Sequence, residues 1–147
     1  MKVKYILADK GTHVYSIHPD KPVSEALRVL NEERIGALMV LNDEQNIEGI
    51  LSERDVLYKY ADVGHSAPDM RVKDIMTPKE KLIIGHASDD LAYVMSVMTE
   101  HKIRHLPIIS EEGKLVAIIS IGDVVKRLLK YAEHEKKMLL EYIELGY

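Results

Sequence analysis

The chain is an internal duplication, and that limits its possible folds more than any single motif does. Displacing the 147-residue sequence by 68 positions lays residues 12–56 on 80–124 without a gap. RIGALMVLNDEQNIEGILSERDV then falls on KIRHLPIISEEGKLVAIISIGDV. Ten of the 45 pairs are identical, among them Ile35/Ile103, Leu38/Leu106, Ser52/Ser120, Asp55/Asp123 and Val56/Val124; about three would arise at average residue usage. The apolar pattern coincides as well. Val23, Ala26, Leu27 and Leu30 form an i, i+3, i+4, i+7 stripe, which Leu91, Val94, Met95 and Met98 repeat. Asp20 and Ser88, three residues ahead of the stripes, hold the register of helix N-caps.

Each half therefore predicts strand, helix, strand, strand, helix, an α+β fold. In the first half the helix covers 22–33, the strands Gly36–Leu41 and Glu48–Ser52, the turn Asn42–Asn46, and a short helix runs from Glu53 to about Tyr60. In the second, a helix near 89–101 precedes strands at Arg104–Ile109 and Leu115–Ser120, a turn at Glu111–Gly113 and a helix from about Gly122. Neither half buries enough alone to be comfortable. Two sheets facing each other about a pseudo-twofold axis solve that. The expected boundaries are 7–61 and 75–132 for the repeats, 62–74 for a connector within a turn-rich stretch, and 133–147 for a C-terminal helical tail. Val125, Leu128, Ala132, Leu139 and Tyr142 keep helical spacing into that tail, with Glu135 interrupting. This helix is expected to pack on its own body or on a partner subunit.

Composition removes several function classes. Without cysteine there is no disulfide framework, thiol catalysis or thiolate zinc site. Twenty basic against 24 acidic residues leave a net charge of −4, a poor match to a nucleic-acid backbone. The opening MKVKYILADKG has too short an apolar run for a signal peptide, and no stretch approaches about 18 apolar residues. A cytoplasmic protein without a membrane partner is expected. Phe and Trp are absent, so Ile, Leu, Val and Met must build the core.

One constellation could carry chemistry. Both halves place Ser-x-x-Asp where the last strand turns into the last helix: Ser52-Glu53-Arg54-Asp55 and Ser120-Ile121-Gly122-Asp123. A capping box explains this spacing unaided. A helix start also gathers free N–H groups and a positive dipole end. There an Asp can accept both hydroxyl hydrogens of a ribose diol while the Ser serves a phosphate or sugar oxygen. Both readings stand on the residues alone.

The run HKIRHLPIISEEGKLVAIISIGDVV resembles the signature of a cystathionine-β-synthase (CBS) domain, and RIGALMVLN with EGILSERDV resembles a second copy. About 130 residues, including the Glu141–Tyr147 ending EYIELGY, are similar to small proteins made of one CBS pair. The resemblance implies two tandem β-α-β-β-α repeats packed by their sheets, commonly assembled as a homodimer of pairs. It also implies an adenine nucleotide (AMP, ATP or NAD(H)) in clefts between the repeats, as a regulatory ligand rather than a required cofactor. Carried over by position, Asp55 and Asp123 would hold ribose, Ser52 and Ser120 ribose or phosphate, and Arg104 and His105 phosphate, with Pro107 in the adenine wall. The first half departs from the pattern, with Gly36, Ala37 and Met39 at the positions of Arg104, His105 and Pro107. Arg54 is the cation that could compensate, and unequal sites are expected.

The expected function is thus a non-catalytic sensor that reports nucleotide or energy status to a regulated protein. A ligand-free structural dimer acting as an interaction module is the alternative, and a small nucleotide-acting enzyme a weaker one. No nucleophile elbow, Walker loop or G-x-G-x-x-G occurs. His101 and His105 have the i, i+4 spacing of a helical metal pair, but the second falls at a strand entry and no third ligand is placed, so no metal is expected.

Overall fold

The structure is a computed structural model and describes residues 1–11 and 13–146. The chain forms two compact units, Thr12–Ile84 and Met1–Gly11 with Gly85–Tyr147. The first eleven residues thus join the second repeat rather than the one that follows them in sequence.

In the first unit, β1 (Ser16–Ile17) leads to helix α2 (Val23–Glu33), the hairpin β2 (Ala37–Leu41) and β3 (Ile47–Ser52), and α3 (Glu53–Val63). A 3-10 turn at Gly64–Asp69, the short α4 (Val72–Ile75) and β4 (Thr77–Pro78) complete it. Its strands form one sheet in the order β1-β2-β3-β4. Val23, Ala26 and Leu30 of α2 pack with Leu38, Val40 and Leu51 of the hairpin. The stretch read as a connector is therefore structured, and β4 forms a sheet edge.

In the second unit, α1 (Val3–Lys10) accompanies α5 (Leu91–Glu100), the hairpin β5 (His105–Ile109) and β6 (Leu115–Ser120), and α6 (Ile121–Glu144). The 68-residue displacement governs backbone detail. Ala37 pairs with Ser52 and Met39 with Ile50, as His105 does with Ser120 and Pro107 with Ile118. Both hairpins shift register at the same place, Val40/Leu41 and Ile108/Ile109. Buried positions also match: Val23, Ala26 and Leu30 recur as Leu91, Val94 and Met98. The expected helical tail is the unbroken continuation of α6, and Tyr147, which ends the EYIELGY motif, lies outside the described residues.

Asp20 and Ser88 are not the N-caps expected of them. Pro22 and Asp90 hold those positions, and neither caps with its side chain. Backbone from another segment supplies the acceptor instead: the Val23 N–H donates to the Met70 carbonyl and the Leu91 N–H to the Met1 carbonyl. These orphan donors are thus satisfied without a side chain. Asp20 pairs with Lys73 at 3.0 Å.

The same bonds expose a second repeat. Val3 and Lys4 donate to the carbonyls of Asp89 and Ala87, as Val72 and Lys73 donate to those of Lys21 and Pro19. At a displacement of 69, MKVKYILADK lies on MRVKDIMTPK with Met, Val, Lys, Ile and the final Lys in common. The two copies then diverge. Pro78 bars Thr77 from the helical region, so α4 ends at Ile75 and the chain becomes β4 beside β3. Asp9 stands where Pro78 does, and α1 runs on to Lys10. Hence the second unit has a two-stranded sheet. An added Cβ at Gly49 would strike the Thr77 carbonyl oxygen, whereas its repeat partner Ala117, on a strand with no counterpart of β4 among the described residues, is a buried core residue.

A proline explains a further asymmetry. Met39 donates its N–H to Tyr15 O, supporting β1. Pro107, at the equivalent position, has no N–H, and the matching strand shrinks to the single bridge Gly85↔Ile108.

Candidate functional site

Both Ser-x-x-Asp motifs are complete capping boxes at helix starts. In the first unit, Ser52 caps α3. Its N–H donates to Asp55 Oδ2 at 2.8 Å and the Asp55 N–H returns to Ser52 Oγ at 3.3 Å. In the second, Ser120 caps α6, with the corresponding bonds at 2.8 and 3.1 Å. The strand before each helix closes the corner: Glu53 N–H donates to Gly36 O, and Ile121 N–H to Arg104 O. Each carboxylate spends Oδ2 on the cap. Among the described residues neither Oδ1 accepts a hydrogen bond. Capping therefore leaves one oxygen of each Asp available.

The two carboxylates differ in electrostatics. Burial pushes Asp55 above the usual Asp value, against the hydrogen bonds from Ser52. Burial pushes Asp123 the same way, but Lys10 and Ser120 outweigh it and hold Asp123 below that value. Lys10 Nζ lies 2.7 Å from Asp123 Oδ2 and also donates to the Ile118 carbonyl at 2.8 Å. In the first unit the corresponding carbonyl-bearing residue, Ile50, pairs with Thr77 of β4. An ammonium group thus occupies the edge of β6 where β3 has a strand.

The remaining candidates fall around these corners. Arg104 is exposed beside the start of α6; His105 is half-buried and faces Ser120 across the hairpin. Pro107, two residues on, is buried. Arg54 is half-buried in the first turn of α3, where Gly36, Ala37 and Met39 offer no charge. His101 ends α5 whereas His105 opens β5, so they do not share a helical turn. Among the described residues no helix is long and apolar enough to cross a membrane.

Sequence reasoning missed the surroundings of Asp123. A cavity of about 300 Å³ is lined by Ile6, Asp9, Lys10, Asp123, Lys126, Arg127 and Lys130. Arg127 donates to Asp9 at 2.8 Å and lies against the Tyr5 ring, while its buried Nε has no hydrogen-bond partner among the described residues. The Lys10/Lys79 match and the Lys126/Lys130 spacing were the available signals.

Fold and site together define a tandem-repeat module carrying two copies of one helix-start site. Residues 10–62 and 72–130 match the description CBS domain, and the chain belongs to that family. It is 35% identical over 130 residues to the mitochondrial CBS domain-containing protein CBSX3 of Arabidopsis thaliana; the match covers 87% of this chain and 63% of that protein. An inosine-5'-monophosphate dehydrogenase of Aquifex aeolicus is 34% identical, over 76% of this chain but 22% of the enzyme. Among solved structures, a CBS-domain containing protein from Agrobacterium tumefaciens superposes with a TM-score of 0.81 at 34% identity, covering 85% of this chain and 91% of that one. CBSX2 in complex with AMP superposes with a TM-score of 0.66 at 28% identity, covering 84% and 91%.

Proposed function

We propose that the chain is a non-catalytic regulatory module that binds an adenine nucleotide at its helix-start sites and signals occupancy to a protein partner. The observation that carries this reading is the spare oxygen: among the described residues each capping Asp has Oδ1 without a hydrogen bond, able to accept from a ribose hydroxyl beside the N–H groups of a helix start. That CBSX2, a relative of similar fold, has been solved with AMP supports adenosine as the shared element. Ser52 and Ser120 contact ribose or phosphate, Arg104 and His105 reach phosphate, and Pro107 belongs to the adenine wall. Arg54 is the only one of these cations in the first repeat, which makes the Asp123 site the stronger. AMP, ATP and NAD(H) all carry the required adenosine. A ligand shifts the module only by binding one arrangement better than another.

The test is a thermal-shift panel with AMP, ADP, ATP, NADH and S-adenosylmethionine. At least one raises the melting temperature, and Asp123→Ala removes that rise while the variant stays folded. Indifference to all five at millimolar concentration overturns the reading and leaves the structural dimer.

The dimer has its own support. From Leu129 onward every described residue of α6 is exposed, including Leu139 and Ile143, as is Leu145 just beyond it. Helices in proteins draw most of their stability from packing an apolar face, and this segment has none to draw on among the described residues. The second half of α6 mixes Glu133, Glu135, Glu141 and Glu144 with Lys136 and Lys137. Antiparallel pairing with a second copy covers these exposed apolar residues.

A further inference from the structure

The cavity beside Asp123 holds four cations and two carboxylates. Two cations are internally matched, Lys10 to Asp123 and Arg127 to Asp9. Lys126 and Lys130 form no ion pair or hydrogen bond among the described residues, and Arg127 Nε is a buried donor without an acceptor. The cavity exists because α1 stays helical where the first unit adds a strand. Surplus positive charge and an orphan donor both call for an anion.

Lys10 adds a condition. Its ammonium sits on Oδ2 of Asp123, the oxygen that the second hydroxyl of a ribose diol needs once the first has taken Oδ1. A neutral nucleoside arriving at Asp123 competes with Lys10 and offers it no charge in return. A cationic adenosyl compound adds repulsion. A phosphate chain instead supplies a new anionic partner for the displaced ammonium and for Lys126 and Lys130, and bonds between ionised groups are the strong ones.

We propose that Lys10 is an exchangeable counter-ion that makes this site selective for adenine nucleotides bearing a phosphate chain. On binding, the ribose diol takes Asp123, and Lys10 moves to phosphate oxygens that also contact Lys126 and Lys130. The inference rests on the assignment of ribose to Asp123, and it names the ligand class that assignment leaves open. Lys10 is here a specificity-determining residue absent from the Asp55 site, where no cation is paired with the carboxylate among the described residues.

Titration calorimetry of the full chain with adenosine, AMP, ATP, S-adenosylmethionine and inorganic tripolyphosphate tests it. The wild type is expected to bind ATP most tightly and S-adenosylmethionine most weakly. Lys10→Met should tighten adenosine and weaken ATP, narrowing their affinity ratio about tenfold. Lys126→Ala with Lys130→Ala should weaken ATP and tripolyphosphate while sparing adenosine. An ATP/adenosine ratio unchanged by Lys10→Met overturns the exchange. So does tripolyphosphate that fails to bind, or binds without regard to Lys126 and Lys130. If tripolyphosphate binds through those lysines and no adenosine compound binds at all, the ribose assignment falls with the proposed function, whereas the anion cavity stands.

Discussion

Replacing each capping aspartate by asparagine should give pH profiles of opposite sign. Asparagine keeps an oxygen to accept the N–H of Ser52 or Ser120, so the change removes charge more than it removes the cap. Asp123 is held below the ordinary Asp value of 3.8: burial raises it, and the Lys10 ammonium with the Ser120 bonds more than reverses this. Its ionised form therefore favours the fold. That contribution is present above the unfolded-chain value and is lost as pH falls through the lower folded one. The ion pair measures 2.7 Å, but its side chains are 37% and 26% exposed, so solvent screening limits it to about 0.5–1 kcal/mol. Asp123→Asn should then lower Tm by about 1–4 °C near neutral pH, and less at about pH 3, below the unfolded value. Asp55 is pushed up by burial, with Ser52 opposing. Its contribution is present below the unfolded value and lost as pH rises through the folded one. Asp55→Asn should thus cost little near neutrality, and the comparison should move toward the wild type in acid. Urea unfolding followed by far-ultraviolet circular dichroism at both pH values reads the difference. Equal slopes, or a larger neutral-pH loss for Asp55→Asn than for Asp123→Asn, would refute the argument.

Gly49→Ala should destabilise by about 1–3 kcal/mol, because its Cβ meets backbone of β4 rather than a flexible side chain; a neutral urea midpoint would show that β4 does not press on β3. Leu139→Glu combined with Ile143→Glu should convert a dimer to monomer in sedimentation equilibrium and reduce helical ellipticity. A wild type already monomeric at high concentration would dismiss α6 as a self-association surface.

Much of this protein was legible in its amino-acid order. Period-two and period-3.6 patterns are local, and they placed the strand Leu115–Ser120 at its observed limits and the start of α6 within a residue. The Ser-x-x-Asp spacing likewise revealed the capping boxes, whose bonds span three residues. The N-caps failed because the acceptors for Val23 and Leu91 come from Met70 and Met1, far along the chain. Helix α1 and Lys10 escaped notice for a related reason: their repeat runs at 69 rather than 68, and its copies adopt different structures.

Sequence alone determined the duplication, the hairpins and the starts of α3 and α6, since these depend on hydrogen bonds and apolar spacing within a few residues. Tertiary structure alone decided what lies beside each hairpin: a strand against β3, an ammonium group against β6. Filling a sheet edge is a contest between distant segments, and here Pro78 against Asp9 settled which backbone could extend and which stayed coiled. That choice is why, among the described residues, Asp123 faces a cation and Asp55 does not.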